Sequence, residues 1–280
     1  MAYTTINKST ENFTSTLWTG DSTTPKTFTT GTFKPDWLWG KNRSQAYSHQ
    51  LYDTTRGAGN DKEIVSNNNG AEGASNPETY GYVSAFTSTG FTATRGTDSA
   101  GDDYWNESPD NYVAWSWKAN GGTTSSNSDG SITSTVQANT TAGFSIVKYT
   151  GTGSGSNSTV GHGLGKVPSW IFVKNLGSTG NWVVWNKDLS SQTNNYLRLD
   201  TNQAPGTTTN YWNSAAPTNQ VFGVSPDGYN NNKNGESIIA YCFADIPGYC
   251  KSGSYVANEN SDGNFVYTGF APQFIIMKRI

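Results

Sequence analysis

The amino-acid sequence predicts an all-β fold, arranged as tandem β-sandwiches of jelly-roll type with an incomplete third repeat. Three observations carry this prediction. The first is composition. The 280 residues include 31 Gly, 10 Trp, 15 Tyr and 12 Phe but only 14% charged residues, so strong helix formers are scarce while β-branched and aromatic residues abound. That aromatic content also separates the chain from disordered segments of similar polarity. The second is periodicity. No window keeps a helical period for three turns, whereas short apolar runs recur between clusters of Gly, Asn, Asp and Ser, the chemistry of strands joined by turns. The third is an internal repeat.

The repeat is centred on residues 31–43, GTFKPDWLWGKNR, and returns at residues 164–175, LGKVPSWIFVKN, and at residues 269–279, GFAPQFIIMKR. Each copy has a Pro, a bulky apolar run and, six positions after the Pro, a Lys: Pro35 and Lys41, Pro168 and Lys174, Pro272 and Lys278. Pro is tolerated as the first residue of a strand, where its missing N–H is not needed. The run that follows is apolar on both faces, so it reads as a central strand buried on both sides. Trp37, Trp39, Trp170 and Phe172 are therefore expected in the core.

Each copy is preceded by another strand and a Thr-Gly turn. These are FTSTLW (13–18) before Thr19-Gly20, FSIVKY (144–149) before Thr150-Gly151, and residues 265–267 before Thr268-Gly269. The distance from turn to Pro varies, as a hairpin loop allows. Further strands are expected at residues 48–53, 82–86, 91–94, 181–186, 196–199 and 220–224. Apolar runs at 112–117 (YVAWSW) and 237–243 (SIIAYCF) close the two units. The boundaries are a first sandwich over 10–119, a flexible linker over 120–130 (NGGTTSSNSDG), a second sandwich over 131–246, and the opening strands of a third repeat over 249–280.

A net charge of −3 and a pI near 5.4 leave no electrostatic footprint for nucleic acid. No stretch approaches the ~18 apolar residues of a membrane helix. The start, MAYTTINKST, lacks the basic cluster and apolar run of a secretory signal, although the Thr, Ser, Asn and aromatic content has an extracellular character. A virion protein, made in the cytoplasm and released by lysis, reconciles the two. Cys242 and Cys250 are read as free thiols, with a bridge across their short loop left open.

Residues with chemical potential are few. His49 and His162 have no metal-ligand partners at suitable spacing and no nucleophile elbow nearby, so both read as structural. Asp98, Asp102, Asp103 and Glu107 form the one carboxylate-dense stretch. A solvated loop, a cation site and a glycosidase pair are the alternatives, and neither the Ca²⁺ spacing nor a paired-carboxylate pattern is met. The alternating glycines of residues 151–156 precede no helix and read as a hairpin loop rather than a phosphate cradle. No catalytic residue, metal or cofactor is expected. The tripeptides Tyr104-Trp105-Asn106 and Tyr211-Trp212-Asn213 offer aromatic faces beside amides, so Tyr104, Trp105, Tyr211 and Trp212 are candidates for stacking on a glycan, with core packing as the alternative. They stand at different distances from their Pro residues and do not form a duplicated site.

The ordered motifs PDWLWGKNRSQAYSHQLYDTTRGAG, GFTATRG and DNYVAWSWKANGG, followed by SITSTVQANTTAGFSIVKYTGTG, VGHGLGKVPSWIFVKN, AYCFADIPGY and FVYTGFAPQFIIMKR, resemble a repeat family in structural proteins of tailed bacteriophages, common in aquatic phages. The resemblance covers nearly the whole chain, departs from the family pattern by stopping inside a repeat, and implies a virion-surface or tail-fibre protein, with no catalytic residues to carry over. The expected function is a non-enzymatic structural subunit of a virion appendage or extracellular fibre, located in the virion, self-associating and able to contact a host-surface glycan. The rivals are a carbohydrate-binding adhesin and a polysaccharide-degrading enzyme. Two or three strands alone are marginal, so Phe270, Phe274, Ile275, Ile276 and Met277 are expected to form an assembly interface by adding strands to a neighbouring subunit. The alternative is that the chain is a piece of a longer repeat protein.

Overall fold

The structure, a computed structural model, describes residues 4–153, 155, 158–225 and 230–280. The first part of the chain holds β1 (Phe13–Thr19), β2 (Lys26–Thr29), β3 (Trp37–Asn42), β4 (Gln50–Asp53), β5 (Ile64–Val65), β6 (Tyr82–Phe86), β7 (Gly90–Thr94) and β8 (Asn111–Trp117). The second part holds β9 (Ser125–Asn127), β10 (Ser134–Asn139), β11 (Phe144–Thr150), β12 (Thr159–Gly161), β13 (Trp170–Asn175), β14 (Val183–Asn186), β15 (Asn195–Arg198), β16 (Gly206–Thr207), β17 (Val221–Gly223) and β18 (Ser237–Phe243). Among the described residues, the helical elements are one α-helical turn, Pro77–Tyr80, and one 3₁₀ turn, Ser9–Glu11.

Four sheets result. The two large ones run β1-β8-β3-β4-β5 and β16-β15-β14-β13-β18-β11-β10-β9; the small ones run β2-β7-β6 and β12-β17. The large sheets share a five-strand order in which β1, β8, β3, β4 and β5 correspond to β11, β18, β13, β14 and β15. They also share a register: Phe13 and Trp37 both lie opposite Trp117, and Phe144 and Trp170 both lie opposite Phe243. The pairing of β1 with β8 and β2 with β7 is the nested pattern of a jelly roll. The hairpins β3-β4 and β6-β7 depart from it by keeping sequence neighbours together.

Turn chemistry repeats with the strands. Gly20 N–H donates to Asp110 O at 2.7 Å and Gly151 N–H to Glu236 O at 2.9 Å. At both glycines the backbone approach is too close for a side chain, since a Cβ would lie 2.0 Å from Glu107 O and 2.2 Å from Lys233 O. The Pro-led strands end alike. Asn42 Oδ1 accepts from the N–H groups of Ser44 and Gln45, and Asn175 Oδ1 from those of Gly177 and Ser178, in Asx turns that release the chain from the sheet.

The layers follow from which side chains share a core. One face of the first large sheet, with Leu38, Tyr52 and Ala114, packs against Phe28, Val83 and Phe91 of its small sheet. The opposite face, with Trp37, Trp117 and Leu51, packs against Phe144, Phe172 and Tyr241 of the second large sheet. The far face of that sheet, with Val147, Ile171 and Ala240, is covered by Val160 and Phe222 of β12 and β17. Both large sheets are thus buried on both faces, which is why their central strands read as continuous apolar runs. Trp37, Trp39 and Phe172 are buried as expected, but Trp170 is only half-buried. The Trp37 ring stacks on Tyr241, with centroids 4.4 Å apart, so the two sandwiches share one aromatic core.

Three sequence expectations are corrected. Residues 120–130 are not a free linker: Asp36 Oδ2 accepts from the N–H groups of Ala119 and Gly121, and β9 pairs with β10 at the edge of the second large sheet. Residues 249–280 hold no strand. In both sandwiches the opening and Pro-led strands pair with the closing strand between them, not with each other. Within 249–280 no closing strand is present, so their ladder has no partner. The hairpin loop expected at 151–156 falls partly outside the described residues. Cys242 and Cys250 are both free thiols.

Candidate assembly surface

The four aromatics considered for glycan contact are buried, which removes them as a stacking platform in this structure. Trp105 lies over Gly40, where a Cβ would stand 2.3 Å from its ring, and meets Phe91 at 5.3 Å. Its neighbour Tyr104 donates its hydroxyl to Ser75 O at 2.8 Å. Trp212 donates Nε1–H to Asn195 O at 3.0 Å, and Tyr211 meets the Tyr196 ring at 4.6 Å. The two tripeptides therefore sit in different cores with different partners. Both tripeptides lie in turns, yet their rings are turned into the cores.

The acidic stretch is also less solvated than its composition implies. Asp102, Asp103 and Asp110 are buried. Asn42 Nδ2 donates to Asp103 O and Asp110 Oδ2, and the Tyr112 hydroxyl donates to Asp103 O at 3.1 Å. Burial, and then the hydrogen bond with Asp103, push the Glu107 carboxyl up to about 7. Among the described residues, no three His, Cys, Asp or Glu side chains are grouped to hold a metal ion.

Both histidines are held in the framework. Trp39 Nε1–H donates to His49 Nδ1 at 2.8 Å, and burial, then the Lys41 ammonium, lower His49 to about 4. His162 Nδ1 accepts from Leu164 N–H while Nε2 lies 3.1 Å from Thr218 O. Cys242 is fully enclosed, and burial pushes its thiol up to about 12. An open polar groove of about 470 Å³ runs past Asn127, Asp129, Asn219 and Gln220.

The apolar surface is concentrated at one end of the chain. Of ten exposed large hydrophobic side chains among the described residues, eight fall in residues 255–280, and the others are Leu17 and Val167. The five residues expected at an interface divide into two sets. Phe274 inserts among Phe13, Trp39, Trp115 and Trp117, with centroids 5.1 Å from each of the last two, and Ile276 packs against the same core. Phe270 is half-buried, whereas Ile275 and Met277 are 65% and 73% exposed. Phe274 and Ile276 thus cover this chain's own first sheet and are not free for a partner. Lys278 Nζ anchors the end of the segment on Thr201 O.

This division follows the repeat. Phe274 and Ile276 stand two and four positions after Pro272, as Trp37 and Trp39 do after Pro35 and Trp170 and Phe172 after Pro168. In every copy these positions face the core between the large sheets. Ile275 matches Leu38 and Ile171, which face the small sheets; in the tail nothing covers that side. The alternation is that of a strand, laid on the protein without a ladder.

Neither a curated protein nor a solved structure matches this chain. The sequence model of one family, described as a domain of unknown function (DUF7483), matches residues 8–280, and the chain belongs to that family.

Proposed function

We propose that this protein is a non-enzymatic structural subunit of a phage virion appendage or extracellular fibre, whose copies associate through their sandwich units and C-terminal segment. The observation that carries the reading is the gathering of eight exposed large apolar side chains in residues 255–280. Soluble surfaces rarely keep such a concentration uncovered unless it meets a partner. The shared aromatic core between the two sandwiches supports it, since sheets packed through a continuous core suit a load-bearing role. The resemblance to phage structural repeats supplies the virion context. Sedimentation velocity and negative-stain microscopy of the purified chain test the reading. Elongated oligomers that grow with concentration are expected, and a monomer at every concentration overturns it.

A second reading, a glycan-binding module, draws on the groove beside β9 and β10, whose amides and the Asp129 carboxylate suit sugar hydroxyls. Glycan-array binding that disappears with Asn127→Ala and Asn219→Ala would favour it.

A further inference from the structure

The two large sheets differ at one edge. In the second, β11 pairs on both sides, with β18 and with β10. In the first, among the described residues, β1 pairs with β8 alone, and residues 4–12 form only the 3₁₀ turn Ser9–Glu11. Among the described residues, no strand lies beside β1 in the position that β10 occupies beside β11.

Open edges are normally blocked by Lys, Pro or a bulge. The sequence of β1, FTSTLWT, has neither residue, and its seven pairs with β8 run without a register shift. Leu17, on the same side of β1 as Phe13, is 63% exposed. Among the described residues outside the tail, it and Val167 are the exposed large apolar side chains. The tail, in turn, is extended and alternating but has no ladder.

We propose that the tail of one copy adds as a strand to the β1 edge of the next, in the place that β10 takes beside β11. This rests on the assembly reading above and names its two surfaces. Backbone N–H and C=O groups of the open edge meet those of the tail, and Leu17 gains apolar neighbours from the tail's exposed side chains across the new pair. Edge and tail are different surfaces, so the contact is heterologous and extends head to tail.

The test is sedimentation velocity on the full chain over about a hundredfold range of concentration. Leu17→Lys charges the edge, and Ile275→Lys with Met277→Lys charges the tail. All three positions are exposed, near-UV circular dichroism checks the fold, and Leu17→Glu serves as a second edge variant. Each variant alone should associate roughly tenfold or more weakly than the unchanged chain. An equimolar mixture should form a one-to-one complex that grows no further, because it retains one good edge and one good tail. If the unchanged chain is monomeric throughout, the assembly reading itself falls, and the edge assignment with it. If it assembles but Leu17→Lys and Leu17→Glu assemble equally well, assembly stands and the edge assignment is wrong. A mixture that stays monomeric also overturns it.

Discussion

The first and second large sheets have the same strand order, register and turns, yet their Pro-led strands are covered in different ways. At the fourth position of β3, Gly40 makes room for the Trp105 ring; the matching residue of β13 is Val173, which packs in the second outer core. At the next position, Lys41 is half-buried and donates to Gln45 O at 2.8 Å. Lys174 is fully enclosed, donating to Gly180 O and to Asn69 O of the first sandwich, and burial lowers it to about 8. Opposite Trp37 lies Asp53; opposite Trp170 lies Asn186. Asp53 holds the Arg56 guanidinium and accepts the Tyr241 hydroxyl at 2.7 Å, whereas Asn186 donates to Ser252 Oγ at 2.9 Å. A framework held by backbone approaches and Asx turns thus accepts different side chains wherever loops or the neighbouring sheet supply the cover.

The largest expected effect comes from breaking the feature that only the first sandwich has. Arg56 is paired with Asp53 and, at 2.9 Å, with Glu72, and its side chain is 1% exposed. Arg56→Met leaves Asp53 buried without its cation, so unfolding free energy at neutral pH should fall by about 4 kcal/mol. Chemical denaturation measures this, and a loss under 1 kcal/mol would mean that the pair contributes little to the junction.

Exchanging the covers comes next. Gly40→Val imposes the second sheet's residue on the first and should cost about 2–3 kcal/mol through collision with Trp105. Adding Trp105→Ala removes the obstacle, so the double variant should be more stable than the sum of the two single losses predicts. Strict additivity would show that the ring does not occupy that place.

A smaller effect depends on pH. Burial pushes the Glu63 carboxyl from 4.5 up to about 7. The folded state therefore holds the proton more tightly than the unfolded chain does. The associated stability is fully present below about 4.5 and is lost as pH rises through about 7. Glu63→Gln resembles the protonated form, so it should change little at acid pH and stabilise at alkaline pH by on the order of 2 kcal/mol. Thermal melts across this range give the answer; an equal effect at both ends contradicts the assignment. Glu107, also raised to about 7, carries the same sign.

The smallest effect concerns the tail. Phe274 is only half-buried on the first sheet, so Phe274→Ala should cost about 1 kcal/mol, well below the loss from a fully buried Phe. It should also alter Trp fluorescence by exposing Trp115. An unchanged spectrum would place the ring elsewhere.

Much of this architecture was legible in the residues themselves. The Pro-to-Lys spacing identified β3 and β13, the Thr-Gly pairs identified the turns that follow β1 and β11, and apolar runs on both faces announced sheets buried on both sides. These are local signals, because periodicity and turn chemistry act within a few residues. The strand β9 was hidden in a Gly- and Ser-rich stretch, since what orders it is Asp36 and β10, both distant in sequence. The places of Trp105 and Trp212 were equally hidden, because whether a ring faces solvent or a gap over Gly40 depends on what another strand leaves empty. Residues 272–278 carry the same strand pattern as their two counterparts, yet they lie on the first sheet without a ladder. Sequence determined which faces of these segments are apolar; only the tertiary structure decided which surface covers each face, because burial is settled between segments far apart in the chain.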